Sequence, residues 1–530
     1  LANLKRYVAG FAGATVLLAG CSSDPGAVEE GSDGGTSTGS AGGDQFVLAL
    51  SSDIVSLDPQ ETTDVPSSQV STNIYENLLE HDSNMELQPV LAESYEMVDD
   101  LTWEFQIREG VTFHDGEELN ADAVVKNFER LLDPDNAKPR ANMFELVEEI
   151  TAIDEYTVEF TTSEPFAPLD AHLAHSAAAI ISPAAIDADE SGDALLSVHA
   201  AGTGSFELDE WVQGNEIRLS KNENYWGEEA QVSQVTMRVV PEQSTRIGML
   251  DQGEVHFIDQ VESANSGIVD DMQNASLLTQ EQLGFEYIGF NTDVEPFDDP
   301  DVRRAIAMAI DSEVLLEGLY GGFGSVASGP LSEYTFGYSE DTQGIEYDPE
   351  GAKELLAEAG YEDGFSASIL TNDANPTRIH IAEVAQDYLQ EVGVDLSIEM
   401  MEWGAFLDAT DQGNTEMFVL GWSTVTADAD YALHPNFYSG NHGSQGNSTF
   451  YDNEEVDALL TEARSESDND ARADLYAQAE QIIIEEAPMI FTVHNDYITG
   501  IADSVEGFNH LATGIYDLSE VSINEEEAGY

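Results

Sequence analysis

The stretch Leu101–Arg130, LTWEFQIREGVTFHDGEELNADAVVKNFER, leaves its backbone the narrowest choice in the chain. Trp103, Phe105 and Ile107 alternate with Thr102, Glu104 and Gln106, the period of a strand buried on one face. His114, Asp115 and Gly116 supply a turn, because Asp bonds its own backbone and Gly tolerates positive φ. Asn120 stands at an N-cap position, and Asp122 sets a negative charge in the positive first turn. Val124, Val125, Phe128, Leu131 and Leu132 recur at helical spacing until Asp133-Pro134 stops the helix. The order is strand, turn, helix. His114 and Asp115 read as turn residues rather than an acid–base pair.

The chain has 530 residues, too many for one core and enough for two or three lobes. At 42% hydrophobic, it can bury a substantial core. Its 17 Lys and Arg face 104 Asp and Glu, a formal net charge of -87. Nucleic acid is excluded as a partner, since phosphate binding needs a basic surface. An anionic membrane surface would repel the chain. Such charge repels itself in dilute buffer, whereas at molar salt the screening length falls to about 3 Å. The composition therefore reads as halophilic, and there is no EF-hand-like D-x-D-x-D-G loop to suggest calcium instead. The lone cysteine, Cys21, excludes an intramolecular disulfide, a CxxC pair and a cysteine zinc cluster.

Residues 1–20 read as a signal peptide: Lys5 and Arg6 precede the apolar run Val8–Leu18, which is too short to span a bilayer stably. Leu18-Ala19-Gly20-Cys21 resembles a lipobox, which implies lipid attachment at Cys21. Residues 21–44 then form a Gly/Ser-rich tether with a random-coil span of roughly 25 Å. Folded structure is expected from Gln45, with a strand at Phe46–Leu50 and a first helix over Asn73–Leu79. The pattern changes at Gln282, and Tyr287–Asn291 reads as a strand entering a second lobe. Helices there carry clear punctuation: Asp299-Pro300, Asp348-Pro349 and Asn375-Pro376 open three of them, and Gly360 and Gly393 end two. A long helix over Asp470–Glu486 breaks at Ala487-Pro488. The Gly202–Phe206 segment is not a phosphate loop, because strand-like sequence follows where a dinucleotide loop must open a helix.

WEFQIREGVTFHDGEELNADAV resembles the signature of the family 5 extracellular solute-binding proteins, the peptide, glutathione and nickel receptors of ATP-driven importers. Ser56–Pro59 (SLDP), Pro89–Tyr95, Pro165–Ile181, Gly202–Phe206 and Asn224–Gly227 are similar to further family segments. The likeness runs from about 45 to 525 and is nearest the glutathione- and dipeptide-binding branch. It implies an α/β, two-lobed, periplasmic-binding-protein-like (Venus flytrap) fold of the large peptide-binding type. Lobe I would comprise 45–81, 201–287 and the return 493–530, with an inserted subdomain over 82–200; lobe II would be 288–492. It also implies a monomeric binding protein without cofactor. Such a protein is lipid-anchored on the outer face of the membrane, or periplasmic, and captures short peptides for an ABC importer permease. Relatives of the same fold carry nickel chelates or oligosaccharides. A secreted hydrolase is remote: HExxH, Walker and kinase motifs are all missing, and His172-x-x-His175 lacks a third metal ligand.

The resemblance places the ligand strand at Gly421, Trp422, Ser423 and Thr424, whose backbone would pair with an extended peptide. Trp422 would wall the ligand, or pack as core. Dipeptide receptors clamp the ligand's ammonium with an aspartate three residues beyond this Trp; here that position is Val425, which leaves Asp428 and Asp430 as candidates. Arg140 and Arg378 are the candidates for a ligand carboxylate, since Arg stays charged and binds carboxylates bidentately. The alternative for each is an internal ion pair in so acidic a chain. Arg246 and Arg303 look structural.

Overall fold

Thr102–Ile107 is a strand whose Trp103, Phe105 and Ile107 are buried while the residues between them are half-buried. The computed structural model describes residues 44–443 and 446–524; the readings made for 1–43, Cys21 included, lie outside that range. Gly116 turns the chain at φ 90°, and the Asn120 side chain accepts from Ala123 N at 3.0 Å to open the helix Ala121–Leu131. This unit builds a four-stranded antiparallel sheet in the order Ala92–Asp99, Thr102–Ile107, Thr157–Thr162, Val147–Asp154. Its core is aromatic: Phe160 meets Phe128 at 5.0 Å and Phe105 at 5.4 Å, both edge to face, a favoured geometry for ring pairs.

His114 and Asp115 do what turn residues do, at long range. His114 Nε2 donates to the Gly204 carbonyl at 3.0 Å, and Asp115 accepts from the Ser182 hydroxyl. The loop that His114 pins is the Gly202–Phe206 segment. A Cβ on Gly202 would lie 2.1 Å from the Ile74 carbonyl oxygen, so glycine is needed for backbone contact. The same contact corrects the expected helix over Asn73–Leu79. The helix lies earlier, at Val65–Ser71, capped by Asp64 with a proline in its first turn. Beyond it, Gly204 N donates to Ile74 O and Phe206 N to Asn73 O, while Asn73 Nδ2 reaches the Tyr516 carbonyl. Residues 72–74 only turn the chain off the end of that helix, Ile74 N donating to Ser71 O at 2.9 Å; the distant partners then draw 75–78 away without helix, and Leu79–His81 follows as a strand.

The main sheet runs Val394–Met401, Phe365–Asn372, Met417–Ser423, Gly284–Phe290, Met489–Ala502, Phe257–Ile258, Gln45–Leu50, Gln234–Val239, Glu216–Lys221, Phe206–Val212. The strand Met489–Ala502 serves two half-sheets. Its first part pairs with Gly284–Phe290 (Ile288↔Ile490) and its second with Ala275–Glu281 (Leu277↔Gly500). The chain thus passes between halves at Gln282–Leu283 and near His494–Asn495, where Gln282 N donates to Asn495 O at 3.1 Å. In the second half the expected caps are in place: Asp299 accepts from Asp301 N, Asp348 from Gly351 N and Asn375 from Arg378 N. The last long helix is Asn469–Glu486, ending on Ala487 at φ 47°.

Candidate functional site

The strand Met417–Ser423 runs antiparallel to Gly284–Phe290, and Thr424 N continues the ladder to Leu283 O at 2.8 Å. Antiparallel residues alternate the edge to which they present N–H and C=O. Leu420, Trp422 and Thr424 therefore face Gly284–Phe290, and Gly421 and Ser423 face the opposite edge. There the neighbouring strand Phe365–Asn372 pairs only at Met417 and Phe418. Among the described residues no strand covers Val419–Ser423 on that side. An extended peptide can add to such an edge through main-chain hydrogen bonds.

Side chains at and just past the end of this ladder reach three cavities. Trp422 donates from Nε1 to the Tyr431 carbonyl at 2.9 Å and lines a space of about 330 Å³ between the inserted sheet unit and the second half. Ser423, exposed, opens onto one of about 780 Å³ that includes Gln282 and Asp496 at the crossings and Gln69 from the first half. Val425 lines a smaller one of about 160 Å³ together with Arg140. Thr424 is buried, and its hydroxyl has no hydrogen-bond partner.

The other predicted residues are not all brought to this place. Arg378 grips Glu286 with two hydrogen bonds, 2.9 Å from Nε and 3.0 Å from Nη2. Gly421 is beside this pair: a Cβ there would lie 2.5 Å from Glu286 Oε1 and 2.7 Å from Arg378 Nη2. Asp428 accepts from Arg472 Nη1 at 2.7 Å and caps the helix Ala429–Phe437 through Asp430 N. Burial pushes the Asp428 carboxyl up against the pull of Arg472. Asp430 takes both Arg464 Nε and Nη2, at 2.8 and 2.9 Å. Burial raises Asp430 too, but the Arg464 charge and its hydrogen bonds outweigh that and bring it down to about 2. Each aspartate is 1% exposed and already holds a guanidinium. Arg464 also ties the two parts together: its carbonyl accepts from Ala167 N at 2.7 Å and its guanidinium lies 5.3 Å from the Phe166 ring centre.

Arg140 is different. Its Nη2 donates to the Thr63 carbonyl at 3.3 Å, and its Nε is buried without a hydrogen-bond partner. Among the described Lys and Arg residues, only Arg140, Arg238 and Arg303 have no carboxylate in ion-pair reach. Arg238 and Arg303 donate to backbone carbonyls instead. Around Arg140 the cavity carries His81, His175, Glu80 and Asp517. Burial lowers His81 to about 4, and burial with the Arg140 charge lowers His175 to about 3, so both are neutral at pH 7. Sequence reasoning missed Glu80, His81 and Asp517. Their only signal was the position of the first two just past the expected helix Asn73–Leu79. His172 is held by the Met143 carbonyl at 2.8 Å, and no group of three metal-ligating residues occurs among the described residues.

A two-lobed sheet with an inserted unit and a strand edge open onto inter-lobe space is the architecture of a binding protein, and the chain belongs to the family 5 bacterial extracellular solute-binding proteins. The family's middle region matches residues 86–444. Glutathione-binding protein GsiB of Escherichia coli O1:K1 is 34% identical over 472 residues, 88% of this chain and 91% of that protein. The structure of HbpA2 from Haemophilus parasuis superposes with a TM-score of 0.84 at 27% identity, covering 90% of this chain and 99% of the other. DppA from Helicobacter pylori, solved with the peptide STSA, gives 0.74 at 30% identity over 91% and 98% of the two chains. Proteins of this family bind solutes for transport and are not enzymes. No helix among the described residues is long and apolar enough to cross a membrane.

Proposed function

We propose that this protein is the receptor of an ABC importer, catching short peptides, glutathione-like ones included, between its lobes and passing them to a membrane permease. The observation that carries this reading is Arg140. In a chain of net charge -87 it lines a cavity with no carboxylate partner, beside a strand edge open to a peptide backbone. Main-chain pairing along Val419–Ser423 tolerates varied side chains, and Arg140 takes a ligand carboxylate. Asp428, Asp430 and Arg378 serve the shape of the site through their ion pairs. A ligand touching both lobes stabilises the closed arrangement over the open one. The relatives support this reading, since GsiB is named for glutathione and DppA was solved with a tetrapeptide.

Calorimetry in molar salt with dipeptides, glutathione and a nickel–histidine chelate tests it. Peptide or glutathione binding is expected, weakened by about 2–5 kcal/mol in Arg140→Gln, the range for removing one member of a desolvated charge pair. Binding of the chelate with no peptide binding would reject the reading.

The proposal extends to location: a lipid on Cys21 anchors the protein outside the cell membrane, with residues 22–44 as tether. Cys21→Ser should move the protein from the membrane fraction to the soluble fraction. Retention of the variant in membranes would refute the anchor.

A further inference from the structure

The cavity of about 160 Å³ at Arg140 is amino-acid sized, equal to the share of about five liquid waters. Three separate parts of the fold charge its walls. Arg140 comes from the inserted unit, just before the turn Ala141–Phe144. Glu80 comes from the short strand Leu79–His81, and Asp517 from the strand Tyr516–Asp517 of the C-terminal return. Among the described residues neither acid has a Lys or Arg partner: Asp517 accepts from Ser519, and Glu80 from Asn77 N. The buried Nε of Arg140 is likewise unmatched. Asp64 lines the cavity as well and caps the helix Val65–Ser71 by accepting from Ser67 N at 3.0 Å. Among the described residues the cavity therefore presents one cation and three acids without a partner of opposite charge, and Glu80 and Asp517, the two not spent on a helix cap, leave a complement for a small group bearing both charges. Val65 and Tyr516 line both this cavity and the one onto which Ser423 opens, so the two adjoin, and Val425, two residues past Ser423, is on the wall of the first.

We propose that this cavity seats a zwitterionic amino-acid head, its carboxylate on Arg140 and its ammonium on Asp517 and Glu80, with the rest of the ligand leaving along Val419–Ser423. An ordinary peptide cannot offer such a head, because the carboxyl group of its first residue is consumed in the amide. A γ-glutamyl peptide can, since its first α-carbon keeps both ammonium and carboxylate. The cavity thus selects γ-linked over α-linked peptides. Burial first, then the charges of Glu76 and Asp517, raises the Glu80 carboxyl well above the usual carboxylate range, and an ammonium seated beside it would pull it back down. This inference rests on the peptide-receptor reading above.

Two isomers of equal charge and composition decide it: glutathione and α-Glu-Cys-Gly, titrated by calorimetry in molar salt into the wild type, Asp517→Asn and Glu80→Gln. The wild type is expected to prefer the γ isomer by roughly tenfold or more, and at least one variant to bring the two within about twofold. Equal binding of both isomers by the wild type overturns the proposal and leaves the peptide-receptor reading standing. A γ preference undiminished in both folded variants overturns the assignment to Asp517 and Glu80. Should one variant not fold, the other and the wild-type isomer ratio still decide. Failure of the wild type to bind these isomers or any short peptide overturns the peptide-receptor reading, and this inference with it.

Discussion

Arg472→Met is expected to cost about 3–5 kcal/mol of folding stability, measured by urea unfolding at constant high salt. Arg472 and Asp428 are 3% and 1% exposed and joined at 2.7 Å, and the guanidinium lies 4.1 Å from the Phe336 ring centre. Removing the arginine leaves a buried carboxylate without a cation. Asp428 also caps the helix Ala429–Phe437, so it cannot withdraw without releasing that helix. Replacing the pair together, Asp428→Leu with Arg472→Met, should recover part of the loss, because the desolvation of both charges is then avoided. A loss below about 1 kcal/mol in the single variant would show that the pair is solvated. The same series tests the older expectation for Asp428. A variant Asp428→Asn that keeps its stability but loses peptide binding would make that carboxylate a ligand group. The neighbouring Asp430 carries a pH signature. Its carboxyl falls from an ordinary 3.8 to about 2, so its contribution is present above the unfolded value and is lost as pH drops from about 3.8 toward 2.

The second large effect is salt. Lowering it from molar to about 0.1 M lengthens screening from about 3 to about 10 Å, so carboxylates that ignored one another begin to repel. At -87 the melting temperature is expected to fall as salt is removed, continuously and without a change in fold at the high-salt end. The internal pairs of Arg130 with Asp58, Arg246 with Asp259 and Arg472 with Asp428 are too buried to be screened, so they do not offset the loss. A melting temperature that stays flat or rises at low salt would refute adaptation to brine.

How far the sequence could be read depended on where each residue's partners lie. Leu101–Arg130 was legible because its signals are local: alternation, a turn triplet and a cap within thirty residues decide the path. The helix punctuation at Asp299, Asp348 and Asn375 was legible for the same reason. Asn73–Leu79 was misread as helix because its backbone is claimed by Gly204 and Phe206 and its Asn73 side chain by the Tyr516 carbonyl, and no local pattern records that. The cations show the same limit. That Arg378 and Arg140 are rare positive charges is visible in the sequence. That Glu286 neutralises one while the other stands unpaired follows only from the fold. The acids Asp428 and Asp430 follow the strand Met417–Ser423 closely in sequence, but Arg472 and Arg464, which claim them, sit on helices some forty residues away.

The strand Met489–Ala502 also governs the order in which this chain can fold during synthesis. Ile288, Leu277 and Phe257 all await partners in it, at Ile490, Gly500 and Ile501. A nascent chain therefore leaves both half-sheets open until nearly its last residues emerge, and closing pairings of such sequence separation is slow. A product truncated before residue 489 has two incomplete sheets rather than one finished lobe, with edges exposed to proteases and to other chains.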